Sequence, residues 1–452
     1  MAFSRRLSGK FLLGILYVAV FLVASQRLAE CVAGRVSSDG SCASFPDTSN
    51  ILAVVKTGAS ESYARIPTQI FTVLGCLQDF LIFSDMEQSL AGYHVRDSLD
   101  TVLDEAKDGN PEFDIYRRQK SCVVDQQSCS KFVSSGKGRS NEGWELDKYK
   151  NIHIVEKVYQ LRPDYDWYLF IDADTYVLWH NLVEWLKMLE DPTNKKHYIG
   201  SEALYRDFPF AHGGSGYLLS QATIQDFAGN HSGIANQYDT KAKGVCCGDY
   251  LLSLALNETI GVGVSDARPT INGEKPYTIP YGPGEWCHPL EFEKHFYAST
   301  DVSRRPVLRF LDIYHEFVAP KLAPRRDDWD NLSQDVLYLD PAKKQQQHYP
   351  SWQEARAKKT NNNIQVSAVE KNAHRSFEDC ARLCDATNDC FQFSYHDGAC
   401  AYHRSFRLGK PAKKSDRGEQ QWTSGWNVER IRAWIGEQKP CGEPAWPLAK
   451  SA

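Results

Sequence analysis

The chain has 452 residues, 42% of them hydrophobic and 24% charged, with a formal net charge of −5. That length exceeds one ordinary domain, and the composition is that of folded, core-forming modules rather than a disordered chain. The slightly acidic balance lacks the clustered Lys and Arg that neutralise phosphates, so no nucleic-acid partner is expected.

Arg5, Arg6 and Lys10 precede an apolar run from Phe11 to Ala24. Basic residues ahead of such a run orient it with its N-terminus in the cytoplasm. The run falls short of the roughly 20 apolar residues of a full span. Two readings stand: a cleaved signal peptide with Ala24-Ser25 near the cut, or a short signal-anchor suited to a thin membrane. The anchor is preferred, giving a cytoplasmic tail over 1–10, a transmembrane segment over 11–25 and a stem over 26–49. In both cases the rest of the chain enters the secretory lumen. The 13 cysteines fit that oxidising compartment, and their odd number leaves at least one unpaired within the chain, for which Cys31 is the natural candidate. Asn230-His-Ser, Asn257-Glu-Thr and Asn331-Leu-Ser are acceptor sequons for N-glycans.

Ile51 to Lys56 reads as a buried strand bounded by Thr57-Gly58, followed by a helical pattern through Ile66, Ile70, Phe71 and Leu74. Phe80 to Asp85 is a second apolar strand and Trp167 to Val177 a third. Asn181 to Glu190 reads as a helix ended by Asp191-Pro192. Short apolar strands alternating with helices predict an α/β layer with a largely parallel sheet. The Gly- and Pro-rich stretch Ile260 to Pro289 reads as loop. The α/β module is expected over 50–340, with a polar linker over 341–368. Beyond it, Cys380, Cys384, Cys390 and Cys400 fall among aromatic residues and mark a small disulfide-stapled module over 369–441.

Three motifs carry candidate chemistry. Asp172-Ala173-Asp174 ends an apolar strand, and residues two apart on a strand point to one side. Strand C-termini in open α/β sheets face the ligand crevice. Two carboxylates there suit a hard divalent cation that neutralises a diphosphate. Asp164-Tyr165-Asp166 matches the same pattern but sits in a Pro-containing loop. The paired glycines of Ala211 to Ser220 allow close backbone approach to a ligand, and are equally compatible with a plain turn. Asp249, at the head of the helical segment Cys246 to Leu256, is either that helix's N-cap or a general base for a hydroxyl.

The segments VVKTG, FLIFSD, DWYLFIDADTYVLWHNLVEWL, AHGGSGYLLS and CCGDYLLSLAL resemble, in this order, the fringe-like and core-1 β1,3-galactosyltransferase family, glycosyltransferase family 31, and its fungal members in particular. The resemblance spans about residues 50 to 340 and takes in Trp286-Cys287 and Arg326 to Ser333. It implies a GT-A nucleotide-diphospho-sugar transferase fold and inverting transfer from a UDP-sugar with manganese. Carried over by position, it implies Asp172 and Asp174 as the metal-binding pair, Asp174 the more direct, and Asp249 as the catalytic base. Lys56, Thr57 and Asp85 fall where relatives contact the nucleotide, and Gly213, Gly214 and Ser215 match the glycine motif beside the sugar. Two positions depart from the pattern. Gly248 stands where many relatives carry Glu. The third metal ligand, a His in relatives, matches either His295 or the neighbouring Lys294, with His288 and His315 as further candidates.

The Cys-rich module resembles a PAN/Apple domain, which implies a protein- or carbohydrate-binding role or a purely structural one. The expectation is therefore a type II membrane enzyme of the Golgi or another secretory compartment. It would transfer a hexose or N-acetylhexosamine, galactose or GlcNAc, to a glycan acceptor through a β1,3 linkage. An inactive glycan- or protein-binding form of the fold, and a metal-dependent hydrolase, are the rival readings.

Overall fold

The structure is a computed structural model that describes residues 42–120, 142–275, 277–283, 310–345, 367–412, 421–438 and 446–449. The chain divides after Phe45, and the elements from Pro46 onward belong to one unit. The apolar run from Phe11 to Ala24 lies outside the described residues. Among the described residues no helix is long and apolar enough to cross a membrane.

The α/β expectation holds. The elements run β1 (Ile51–Lys56), α1 (Ala59–Phe71), β2 (Phe80–Ser84), β3 (Gln88–Leu90), β4 (Tyr93–Asp97), α2 (Lys150–Leu161), β5 (Trp167–Asp172), α3 (Trp179–Leu186), β6 (Tyr198–Gly200), β7 (Glu202–Tyr205), β8 (Phe208–Ala211), β9 (Tyr217–Ser220), α4 (Ile234–Ala242), α5 (Gly248–Ile260) and β10 (Ser265–Asp266). Eight strands form one mixed sheet in the order β10-β6-β9-β5-β1-β2-β4-β3. Its centre is parallel: β1 pairs with β5 on one side and β2 on the other, and β2 with β4. The strand β9 runs antiparallel to both β5 and β6. Strands β7 and β8 form a separate hairpin.

Central strand β1 is buried over Ile51 to Val55, the pattern of a strand covered on both faces. Leu52, Val54, Leu81, Phe83, Tyr168 and Phe170 meet the apolar residues of α2 and α5 in one cluster. In α1 the buried residues Ile66 and Ile70 are one turn apart, and Leu74 beyond the helix continues that line. Phe71, expected with them, is 80% exposed because one step along a helix turns a side chain well away from its neighbour. The third strand ends at Asp172 rather than Val177, and α3 begins at Trp179, earlier than Asn181.

A second, five-stranded antiparallel sheet follows. Its strands are β11 (Arg326–Asp327), β13 (Val336–Leu339), β14 (Gln392–His396), β15 (Ala399–His403) and β17 (Thr423–Trp426), in the order β11-β17-β14-β15-β13. The short pair β12 (Trp329–Asp330) and β16 (Lys410–Pro411) forms its own ladder, with Trp329 O accepting from Ser424 Oγ of β17. The helix α6 (Phe377–Ala386) is stapled to the sheet and the following turn by Cys380–Cys400 and Cys384–Cys390. This sheet draws chain from both sides of the expected 341–368 linker: Val336 pairs with Tyr402 and Leu339 with Ala399. Of that linker, Pro341–Gln345 is helical and 346–366 lie outside the described residues. Asn331 belongs to the same core. It is fully buried, and its Nδ2 donates to Phe393 O at 3.0 Å and Gly425 O at 3.2 Å.

A buried hydrogen-bonded pair fastens α2 to α4. His153 Nε2 lies 2.7 Å from Asp239 Oδ1, each side chain 2% exposed, and Thr101 Oγ1 meets His153 Nδ1 at 2.9 Å. Burial alone would raise the Asp239 pKa, but His153, Asn236 and the Leu103 N–H together hold it below the ordinary carboxylate value. A depressed folded-state pKa means the contribution is in place above the unfolded value of about 3.9 and is lost as pH falls through the folded one. Asp239→Asn is therefore expected to destabilise the fold at pH 7 by about 1–3 kcal/mol, with the difference from wild type shrinking below about pH 4. Urea denaturation at pH 7 and pH 3.5 checks this; an equal difference at both values contradicts it.

Candidate functional site

The register of the central sheet gathers the polar residues at one edge. Lys56 pairs with Asp172 across β1–β5 and with Phe83 across β1–β2, so Lys56, Thr57, Asp85 and Asp172 all lie at the carboxyl ends of three parallel neighbours. That is the edge at which open α/β sheets bind ligands. Asp164 and Asp166 precede β5, at its opposite end, where Asp166 accepts from Asn50 Nδ2 at 3.2 Å. Of these two triplets, Asp172-Ala173-Asp174 is the one at that edge.

Asp172 and Asp174 do not share a strand face. The strand stops at Asp172, and a turn closed by Thr175 N–H on Asp172 O at 2.9 Å carries Asp174 outward. Gln69 of α1 braces this turn through Ala173 O at 2.8 Å and Thr175 O at 3.0 Å. Asp174 is exposed, with Arg65 Nη2 3.8 Å away. Asp172 is half-buried, and Lys56 Nζ stands 3.2 Å from its Oδ1.

Lys56 also bonds Asp147, and Asp147 Oδ1 lies 3.3 Å from Lys150 Nζ. Lys150 is buried and donates to Thr57 O at 3.1 Å. Burial opposes the Lys56 charge, yet Asp147 and Asp172 outweigh it and hold its pKa above the ordinary value. Burial likewise opposes ionisation of Asp147, but Lys56 and Lys150 prevail and lower its pKa. At Asp172 burial wins: its pKa is raised, with Asp147 and Asp174 adding to the effect and Lys56 opposing it. Asp147 and Lys150 were not singled out by motif; the available signal was a charged pair one turn apart leading into an apolar helix.

Asp85 lies fully inside, bonded through Oδ1 to the Ala59 N–H at the start of α1, while its Oδ2 has no hydrogen-bond partner among the described residues. Buried carboxylate oxygens are normally satisfied, so Oδ2 is an acceptor waiting for a donor.

The glycine motif and the third motif meet directly. Gly213–Ser215 forms a single tight turn, and Gly213 N–H donates to Asp249 Oδ2 at 2.8 Å. A Cβ at Gly213 would lie 3.3 Å from that same oxygen. Gly214 O accepts from Thr175 Oγ1 at 2.9 Å, which ties the glycine turn to the Asp172–Asp174 turn. Ser215 Oγ lies 2.7 Å from His212 Nδ1. Gly216 has φ +83 and abuts Ile171 and Phe170 O, so only glycine suits it. Asp249 is not the N-cap: Cys247 holds that position, and Asp249 sits in the first turn of α5. Its second oxygen accepts its neighbour Tyr250 N–H at 2.9 Å, so the carboxylate is oriented from both sides.

Cys246 and Cys247 are joined by a disulfide immediately before this helix. Gly248 follows, and a Cβ there would lie 2.9 Å from Asp147 O and 3.0 Å from Lys148 Cα. The helix that carries Asp249 thus rests on the backbone that carries Asp147, and no room remains for the Glu found in many relatives of the resembled family. Of the third-ligand candidates, His288, Lys294 and His295 lie outside the described residues. His315 packs on Tyr314, in the cluster beneath the second sheet.

The donor set has a definite chemistry. Asp172 and Asp174 offer hard oxygen ligands, and cations such as Mg²⁺ and Mn²⁺ are held by one or two carboxylates plus water and substrate phosphates. Among the described residues no group of three or more His, Cys, Asp or Glu side chains is arranged to hold a metal. The two carboxylates are hard oxygen donors of the kind that hold such a cation together with water and phosphate oxygens.

Compared with protein-family models and with curated proteins, the chain matches none.

Gly248→Ala is expected to destabilise the fold by about 1–3 kcal/mol, because the added methyl meets backbone that cannot swing aside. A denaturation midpoint equal to wild type would show that the contact with Asp147 is loose.

Proposed function

We propose that the chain is an inverting, metal-dependent glycosyltransferase of the GT-A type, using a UDP-sugar and a glycan acceptor. The observation that carries this reading is the delivery of Asp249, through its bond to Gly213, to the sheet edge that holds Lys56 and Asp172. One side of the crevice offers groups for a nucleotide diphosphate and the other a carboxylate for a hydroxyl. Lys56 supplies positive charge toward the diphosphate, and the unpartnered Asp85 Oδ2, with Thr57 nearby, supplies an acceptor for a nucleotide N–H or O–H. Asp172 and Asp174 would hold manganese, which when bound gives counter-charge to the departing UDP. Asp249 takes the proton of the acceptor hydroxyl as that oxygen attacks the anomeric carbon. Attack from the face opposite UDP inverts the centre.

The transferred sugar is galactose or GlcNAc and the linkage β1,3, on the family resemblance alone. The same resemblance supports a GT-A domain; the separate likeness of the Cys-rich segment supports a PAN/Apple-like module offering protein or carbohydrate contacts, and the basic residues ahead of the apolar run support a Golgi or other secretory-membrane location through an N-terminal anchor. The inactive-binder reading is favoured by one observation, the ion pair that occupies Asp172.

A UDP-release assay on the full chain, with a panel of UDP-sugars and with or without Mn²⁺, tests the proposal. Metal-dependent release from one donor is expected, and Asp249→Asn should lower it at least ~100-fold with an unchanged circular dichroism spectrum. Near-normal turnover in that variant removes Asp249 from the base role; UDP–Mn²⁺ binding without turnover favours the inactive binder.

Passage through the lumen has its own signature. Asn230 and Asn257 are exposed, whereas Asn331 is buried and hydrogen-bonded. Glycopeptide mass spectrometry of the secretory product is expected to find glycans at the first two and none at Asn331. A glycan at Asn331 would contradict the structure of the second sheet.

A further inference from the structure

Four charged groups alternate in sign along the crevice edge: Lys150, Asp147, Lys56 and Asp172. The two lysines are the more enclosed members, with side chains 1% and 14% exposed. A buried ammonium left without a carboxylate is strongly destabilising, so each lysine needs a permanent partner. Lys56 has two, Asp147 and Asp172, and these differ in what else they do. Asp172 belongs to the Asp-x-Asp turn and faces the crevice. Asp147 is as exposed as Asp172, but its second oxygen is held by Lys150 and its backbone carbonyl lies against Gly248. An oxygen held by an ammonium at 3.2 Å is a poor ligand for a divalent cation until that ammonium has somewhere else to stay.

We propose that Asp147 is a positioning residue that retains Lys56 when a nucleotide diphosphate and a divalent cation bind, releasing Asp172 from its ion pair to serve as a metal ligand. The proposal rests on the glycosyltransferase reading of the same crevice. Lys150 completes the device: it neutralises the second oxygen of Asp147 and anchors to Thr57 O, so Asp147 stays in place while Asp172 changes partner. Lys56 ends between Asp147 and the diphosphate. The exchange breaks no covalent bond and moves no proton.

The test is a Mn²⁺ titration of the full-length protein at saturating UDP, followed by the electron paramagnetic resonance signal of free Mn²⁺. Wild type is expected to bind; failure to bind any Mn²⁺ with UDP removes the glycosyltransferase reading and the proposal with it. Given wild-type binding, Asp147→Asn leaves Lys56 with Asp172 alone and should weaken Mn²⁺ binding about tenfold. Asp147→Glu should recover most of that loss. The double variant Lys56→Gln/Asp147→Asn, in which Asp172 has no ammonium to hold, should bind Mn²⁺ more tightly than Asp147→Asn when UDP is left out of both titrations. A folded Asp147→Asn protein with wild-type affinity overturns the proposal, as does a double variant no tighter than the single. Should Asp147→Asn fail to fold, Lys56→Gln decides: titrated with Mn²⁺ alone, it should bind at least about threefold more tightly than wild type, and equal or weaker binding overturns the proposal.

Discussion

A lysine at the end of the central strand sets the terms for the rest of the crevice. β1 is buried up to its last residue, and a chain that ends such a strand with Lys56 must bring carboxylates to it. Asp172 arrives by strand register, one pairing across. Asp147 arrives from outside the sheet, on the segment leading into α2, and needs Lys150 to be neutral in turn. The result is a sheet end that cannot be closed by apolar packing. It stays polar and open, while the opposite end of β5 is tied off by ordinary loop contacts such as Asn50 to Asp166.

The second constraint is backbone proximity. Three elements converge on Asp249: the glycine turn after β8, the turn after β5, and the start of α5. Each junction is made by a group without a side chain, Gly213 against the carboxylate, Gly214 O against Thr175, and Gly248 against Asp147 O. Side chains at these points would separate the parts by more than a hydrogen bond allows. The glycines are thus spacers of zero thickness: the Asp249 carboxylate bonds the glycine turn directly, and that turn bonds the Asp172–Asp174 turn through Gly214 O.

Much of this arrangement is legible from residue order. Strand β1 and its neighbours announce themselves as short apolar runs, and the polar residues that end them fall at the crevice because parallel strands align their ends. The turn at Asp172 was harder to read, since Asp-Ala-Asp-Thr-Tyr-Val continues an alternating pattern and only the hydrogen bond from Thr175 to Asp172 ends the strand. Asp147 and Lys150 carry no motif, because an ion pair one turn apart resembles any solvated helix pair until burial is known. Their importance is tertiary: Lys150 is inside only because the helix it begins lies under β1. Gly248 is the reverse case, a departure from the resembled pattern that becomes necessary once Asp147 O is seen where a Cβ would go.

The second sheet places its edge strand β13 before residue 340 and the strand it pairs with, β15, after residue 390. Chain order and spatial order therefore disagree at the stretch between 345 and 367. A protease cutting there would sever the polypeptide without separating its parts. Val336 to Leu339 would remain laced to Ala399 to Tyr402 by their ladder, and Asn331 would remain clasped by Phe393 and Gly425. The two halves would travel as one particle under native conditions. In this chain the small module is not an appendage on a string but shares its own sheet with the polypeptide that precedes it.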